Sequence, residues 1–251
     1  MAMGRAKLAI GQGLSVWVLE APGGFGDPQF HRHHAIQITV SLEGSLMLAT
    51  EHGRIAGPAV AVAADARHRF EADGLMVFVF VEPESRAGRA LTSALFGEAS
   101  LAHLDAPMLR AALEPLCATF EAGLGTDALL RAGGHALAVL VPAEGAPLPD
   151  PRVRKIIDQA TANLNQPLDL AAAAAGVYLS PSRLRHLFVE QTGLAFKTYV
   201  LWLRLVRALQ VYSEGRNLTE ASHAAGFADS AHFSRIFRRT FGLPATTLTR
   251  L

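Results

Sequence analysis

The feature that most constrains this chain is an internal repeat in its C-terminal half. One copy runs Leu170-Ala-Ala-Ala-Ala-Ala-Gly176-Val-Tyr-Leu-Ser180, continues as Pro-Ser-Arg-Leu184-Arg-His-Leu-Phe188 and ends at Gly193. The other runs Leu218-Thr-Glu-Ala-Ser-His-Ala-Ala-Gly226-Phe-Ala-Asp-Ser230, continues as Ala-His-Phe233-Ser-Arg-Ile-Phe237 and ends at Gly242. The offset is about 50 residues. Each copy reads as a short helix, a glycine where a tight turn needs φ > 0, and a second helix opened by an N-cap serine. Pro181 falls at the first position of its helix, where a missing amide is harmless. Small alanines on the first helix let the second cross it closely. This is a helix–turn–helix pattern, whose second helix can enter a DNA major groove.

The second helices carry the chemistry. Leu184, Leu187 and Phe188 form an inward stripe, leaving Ser182, Arg183, Arg185 and His186 outside. In the repeat Phe233, Ile236 and Phe237 face inward, and His232, Ser234, Arg235, Arg238 and Arg239 remain outside. Arginine binds guanine O6/N7 bidentately, and any basic side chain neutralises phosphate. A solvated amphipathic helix would give the same pattern for either helix alone. The repetition of turn and cap, with only Glu190 and Asp229 acidic among these positions, points to DNA. Charge agrees: residues 1–150 hold 10 Lys/Arg against 16 Asp/Glu, and residues 151–251 hold 13 against 6. Only the second half is fitted to a polyanion.

Residues 152–251 resemble the AraC/XylS family of bacterial transcription regulators, most specifically in Ala224-Ala-Gly-Phe-Ala-Asp-Ser-Ala-His-Phe-Ser-Arg-Ile-Phe-Arg-Arg-Thr-Phe-Gly242. Tyr199, Arg204 and Ala208 match on the helix joining the two units. The resemblance implies that both second helices enter adjacent major-groove segments on one DNA face. It assigns base contacts to Ser182, Arg185 and His186 in one unit and to Ala231, Ser234 and Arg235 in the other. Ala231 has no side-chain hydrogen bond to offer, so it would meet a thymine methyl or read little. RNA polymerase is a partner by the same resemblance. The end departs from the family: Gly242-Leu-Pro-Ala-Thr-Thr-Leu-Thr-Arg250 lacks the usual Ser-Pro followed by an aromatic and Arg.

The N-terminal half has a different period. Ile36, Ile38, Val40 and Leu42 alternate with Gln37, Thr39, Ser41 and Glu43, the pattern of a half-buried strand. Leu75–Val81 reads as a strand covered on both faces, Leu14–Glu20 as another, with short strands near 45–50 and 60–63 between turn signals at Gly44, Gly53, Gly57-Pro58 and Gly74. Closely spaced short strands predict a small barrel or sandwich over about 14–82. Residues 87–96, 107–122 and 127–141 have helical spacing, with apolar faces that would pack on the barrel or on a second copy of the chain. Cys117, beside Leu113, Leu116 and Phe120, reads as a buried small hydrophobe, and a single cysteine excludes an internal disulfide. Four prolines between Val141 and Pro151 mark a linker. Arg5 and Lys7 before Leu8–Leu19 loosely imitate a signal peptide, but Gly11-Gln-Gly13 interrupts the run. With no apolar stretch long enough for a membrane, the expected location is the cytoplasm.

The stretch His31-Arg-His33-His34-Ala-Ile-Gln37, with Gly44 and the later His68, resembles the two sequence motifs of cupins, Gln37 standing where a ligating glutamate is common. Residues i and i+2 of a strand share a face, and a later strand can add a third imidazole. His31, His33 and His68, with Gln37 as a weak oxygen ligand, are therefore candidates to hold a divalent transition metal. An organic effector or a remnant that binds nothing are the alternatives, and Ala63-Ala-Asp-Ala-Arg-His68 lacks the usual Pro-x-Gly.

The expected fold is α+β. A cupin-like sensor and dimerisation domain covers 1–141, with the barrel first and helices over about 87–141. A Pro-rich linker spans 142–151, and an all-α DNA-binding domain with two helix–turn–helix units joined by a long helix spans 152–251. The expected function is sequence-specific binding to double-stranded operator DNA by a homodimer, responsive to a small molecule or metal in the barrel and without catalysis. Two alternatives stand beside it. One is a cupin-type metalloenzyme fused to a DNA-binding module, although no clear general base accompanies the histidines. The other is a constitutive regulator whose N-terminal half only dimerises.

Overall fold

A computed structural model describes residues 5–26, 29–116, 125–141 and 147–245. Cys117 and Phe120, half of the expected linker and residues 246–250 of the divergent C-terminal tail lie outside the described residues. The chain divides into two compact units, Met1–Ala146 with Ser234–Leu251, and Pro147–Phe233.

The first unit is built on an antiparallel sheet of eight strands. These are β1 (Ala6–Gly11), β2 (Leu14–Gly26), β3 (Ile36–Ser41), β4 (Ser45–Thr50), β5 (Gly53–Ala56), β6 (Ala59–Val62), β7 (His68–Val81) and β8 (Leu101–His103). Their order is β1-β2-β7-β3-β6-β8, with β4 pairing β5 and β7. Long β7 organises the sheet: β2 runs along one side, while β4 and then β3 pair successive halves of the other. β1 and β8 fall outside the expected strand region. β1 is the apolar half of a hairpin closed at Gly11-Gln-Gly13, and Gly13 takes φ +71° at that turn.

Alternation in the strands separates two faces. Val16, Val18, Ile36, Ile38, Val40, Val77, Val79 and Val81 form one, a core that also includes Leu109, Leu113, Leu129 and Leu137. Those leucines come from α2 (Ala106–Leu113) and α3 (Thr126–Leu140). The helices therefore pack their apolar faces on the sheet. α3 approaches closely at Gly133, where a Cβ would sit 2.4 Å from the Val16 side chain. A shorter helix, α1 (Arg86–Leu91), runs on as a π-helical turn to Phe96.

The opposite face differs from the half-buried strand expected of β3. All six β3 residues are buried, so Gln37, Thr39 and Ser41 point into protein and not into water. Buried amides and hydroxyls need partners. Gln37 Nε2 donates to Thr39 Oγ1 at 2.9 Å, and Gln37 Oε1 lies 2.9 Å from His33 Nε2. This second face carries Trp17, Phe70, Phe78 and Phe80 and leads to the histidines.

The second unit contains α4 (Pro151–Ala162), α5 (Leu170–Ala175), α6 (Pro181–Thr192), α7 (Phe196–Ser213), α8 (Leu218–Ala224) and the start of α9 (Ser230–Phe241). Asp150 caps α4 through Arg152 N at 2.8 Å, and Asp169 caps α5 through Ala171 N and Ala172 N at 3.1 Å. The core gathers Val153, Ile156, Leu184, Leu187, Phe188, Tyr199 and Leu203. Phe188 meets Phe196 and Tyr199 edge-on with centroids 5.4 and 5.3 Å apart, a favoured aromatic geometry. No helix of the described chain is long and apolar enough to cross a membrane.

Candidate nucleic-acid interface and histidine site

The two repeats close their turns differently. Gly226 has φ +79°, as expected, and a Cβ there would lie 2.5 Å from the Leu164 carbonyl oxygen. The same carbonyl accepts from Arg204 Nε at 3.1 Å, so the turn is pinned to the long helix. Gly176 is instead right-handed, with φ −64°. Tyr178 takes the left-handed conformation in that unit, at φ +58°. The expected glycine requirement therefore holds only for the second repeat, because the first reverses direction two residues later.

The caps differ as well. Ser180 Oγ accepts from Arg183 N at 3.2 Å, as an N-cap serine should. In the second repeat Asp229 Oδ1 accepts from His232 N at 2.6 Å, so the cap is Asp229 and Ser230 is the first helical residue. A carboxylate there also faces the positive end of the helix dipole, which explains the acid on an otherwise basic surface.

On α6, Leu184, Leu187 and Phe188 are buried, while Ser182, Arg183, Arg185 and His186 are exposed. On α9, Phe233 and Phe237 are buried and Ile236 half-buried. Ala231, Arg235, Arg238 and Arg239 are exposed, with His232 and Ser234 intermediate. Within the second unit Arg185 of α6 and His232 of α9 line one open cleft, together with Lys197 and Arg204 of α7. Lys197 was not singled out from the sequence. Its signal is weak, a single cation on a helix whose repeat partners do not include it.

In the first unit three histidines converge. His31 and His68 form an isolated antiparallel bridge, each N–H donating to the other's carbonyl at 2.8 Å. Their rings are 4.4 Å apart, and the His33 ring lies 4.9 Å from that of His68. All three are buried, and one ligand atom from each lies within 4.8 Å of the others. The surroundings select a tautomer. His33 Nδ1 faces the Ala35 carbonyl at 2.8 Å, His68 Nδ1 the Ala66 carbonyl at 2.9 Å, and His31 Nδ1 the Gln29 carbonyl at 3.5 Å. A carbonyl only accepts, so each Nδ1 carries the proton and each Nε2 keeps its lone pair.

Burial holds all three rings neutral. It pushes His31 down to about 3, helped by the neighbouring His33, and pulls His33 and His68 below the ordinary range. His68 Nε2 is buried with no hydrogen-bond partner. His33 Nε2 lies 2.9 Å from Gln37 Oε1, a lone pair facing a lone pair. Turning the carboxamide over relieves this contact, and so does a cation shared by both atoms. Three imidazole nitrogens and one amide oxygen, with backbone carbonyls fixing the rings from behind, fit a zinc-like divalent ion. Bonds of about 2.0–2.1 Å would draw the nitrogens to roughly 3.3 Å of one another.

His34, adjacent in sequence, has a different role. Burial alone would lower its pKa, but Asp65 and Glu84, each at 3.1 Å, raise it to about 9. It is a buried imidazolium tying β3's approach to the turns at Asp65 and Glu84. Arg67 and Arg69, flanking His68, pair with Glu51 and Glu71 and lie over the Phe30 ring. Beside the histidines is a cavity of about 10 Å³, lined by His31, Gln37, Phe70 and Phe80 and by Phe241 of the same unit. That is room for about one water molecule and far below the range of about 300–1,000 Å³ usual for organic ligands.

Residues 172–250 match the helix-turn-helix domain family. The regulator GbdR of Pseudomonas aeruginosa is 34% identical over 95 residues, which cover 38% of this chain and 26% of that protein. The arabinose operon regulatory protein of Escherichia coli is 34% identical over 95 residues, covering 37% of this chain and 32% of that one. The chain thus aligns with about a quarter to a third of these curated relatives. Over nearly its whole length it shares the fold of ToxT from Vibrio cholerae, at a TM-score of 0.62 and 12% identity, covering 96% of this chain and 99% of ToxT.

Proposed function

We propose that this chain is an AraC-type helix-turn-helix transcription regulator, a reading supported by the helix-turn-helix match over residues 172–250 and by the likeness to the arabinose operon regulatory protein. In this reading α6 and α9 read adjacent major-groove segments of an operator. The observation that carries it is the opening of Arg185 and His232, from the two reading helices, onto one cleft with basic walls. Ser182, Arg185 and His186 contact bases from α6, and Ala231, Ser234 and Arg235 from α9. Arg183, His232, Arg238 and Arg239 neutralise phosphates. The DNA-binding region begins after the Pro-rich linker at 142–151. The N-terminal half senses an effector and forms a homodimer, and the regulator acts on RNA polymerase.

The effector this unit suits best is a divalent transition metal on His31, His33, His68 and Gln37. Support comes from three buried imidazoles with a ligand atom of each within 4.8 Å of the others, the orphaned His68 nitrogen and the small adjoining cavity. The cupin-like description of the sheet belongs to the same reading. Catalysis finds no comparable support, since the curated relatives are regulators.

The test is selection of bound duplexes from a random-sequence pool, followed by titration of the selected site. Arg235→Ala is expected to cost about 1–3 kcal/mol on that site and to relax preference at one base pair. Arg239→Ala is expected to weaken all duplexes and flatten the salt dependence. Failure to enrich any sequence would overturn sequence-specific regulation.

A further inference from the structure

Tyr178 stands out on two counts that do not depend on each other. Its side chain is 97% exposed, the most exposed large hydrophobic residue among those described. Its backbone is left-handed, at φ +58°. A bulky residue in that region costs about 1–2 kcal/mol, and glycine or asparagine would remove most of the cost. The turn supports the backbone alone: the Tyr178 N–H bonds to the Ala175 carbonyl at 3.2 Å and the Leu179 N–H to the Ala174 carbonyl at 2.9 Å, while the ring projects into solvent.

The position of this ring is informative. It lies in the turn two residues before Ser180, the cap of α6, whose first turns expose Ser182, Arg183, Arg185 and His186. On the other side of the turn Lys155 Nζ donates to the Gly176 carbonyl at 3.2 Å. The ammonium of α4 is therefore held against the turn that carries Tyr178, and Arg183 follows in the first turn of α6. When a reading helix enters a major groove, the segment leading into it passes the sugar-phosphate strand bordering that groove. A phenol combines a hydroxyl donor for a phosphate oxygen with a flat apolar body for the adjoining sugar.

We propose that Tyr178 and Lys155 form a clamp on the DNA backbone beside the groove read by α6, with the phenol donating to one phosphate and the ammonium neutralising it or its neighbour. The clamp sets how deeply α6 enters and carries no sequence information of its own. It rests on the reading of α6 as a DNA-binding helix, and the test separates the two.

The probe is a fluorescein-labelled 30-base-pair duplex of mixed sequence, titrated by anisotropy with the full chain across a series of salt concentrations. Tyr178→Gly and Tyr178→Asn both relieve the left-handed strain, so neither should lower the unfolding temperature. Both should weaken binding about tenfold, the loss of one hydrogen bond to a charged group. Their salt slope should match the parent's, because a neutral phenol displaces no counterion. Tyr178→Phe should fall between parent and Tyr178→Gly. Lys155→Ala should reduce the slope of log K against log salt by about 0.9.

Parent affinity in Tyr178→Gly and Tyr178→Asn, with Arg183→Ala/Arg185→Ala still weakened, overturns the clamp and leaves α6 as the DNA helix. Unchanged binding in Arg183→Ala/Arg185→Ala as well overturns the reading of α6 itself. Parent affinity for DNA together with loss of a protein contact in Tyr178→Gly also overturns the clamp, and would assign the ring to a protein partner.

Discussion

Moving the apo protein from pH 7.5 to 5.5 tests the histidine cluster most directly, because four buried histidines respond in opposite senses. His31, His33 and His68 have lowered pKa values in the fold, with burial as the first cause. Once unfolded they titrate near 6.5. The unfolded state therefore binds protons that the fold refuses, and their contribution is lost as pH falls through 6.5. For His31, pushed down to about 3, this amounts to about 1.4 kcal/mol at pH 5.5, and His33 and His68 add losses of the same sign. His34 acts in reverse. Raised to about 9 by Asp65 and Glu84 against its burial, it stabilises most below pH 6.5 and loses that contribution as pH rises towards 9. Over the same two pH units it returns about 1.3 kcal/mol on acidification. The His31 and His34 contributions nearly cancel, so His33 and His68 tip the balance to a net loss of stability at pH 5.5. Urea unfolding in chelator, followed by Trp17 fluorescence in a Trp202→Phe background, should show a lower midpoint at pH 5.5 than at pH 7.5. His68→Leu removes one of the two rings that tip the balance and should shrink the acid loss. An equal loss in His68→Leu, or none in the parent, would mean that the rings are not held neutral together, and the tautomer argument for the site would fail with it.

The remaining expectations concern the metal and the two turns. Protein stripped of metal and titrated with Co²⁺ should develop visible absorption near one equivalent, and His33→Ala and His68→Ala should abolish it. Absence of a spectrum and of any metal-induced rise in unfolding temperature would remove the metal reading. Gly226→Ala should destabilise the second unit by about 2–3 kcal/mol in urea unfolding followed by Trp202, since the Cβ meets the Leu164 carbonyl in a left-handed turn. Asp229→Ala should cost about 1 kcal/mol as a lost N-cap, whereas Ser230→Ala should cost far less.

The chain's own letters made the helical half legible because each repeat states its geometry twice. The Leu184/Leu187/Phe188 stripe gives the period, and Ser180-Pro181 gives a start. What stayed hidden were choices between chemically equivalent neighbours. Asp229 and Ser230 can both cap a helix, and only the position where the backbone enters α9 decides between them. Gly176 is the residue best suited to a left-handed turn, yet the chain bends at Tyr178, because the Leu179 amide bonds back to Ala174 while Gly176 continues the helix through Ala172. In the sheet half, alternation in β3 located the strand, but polarity misled about its second face. Gln37 and Thr39 look like a solvated edge in sequence and are buried against His33.

That error about β3 leads back to the site. A buried carboxamide can be tolerated only if something uses its donors and its acceptor. In this chain the acceptor faces His33 Nε2, whose own proton is committed to the other ring nitrogen by the Ala35 carbonyl. His68 repeats the arrangement through Ala66, leaving Nε2 without a partner. The His68 lone pair, buried and fixed from behind by the backbone, is costly for a fold that binds nothing there. It costs little for one that binds a cation. The polar face of β3 therefore argues for occupancy more strongly than the His-x-His spacing, since the spacing needs only two letters while the tautomers need the surrounding carbonyls in place.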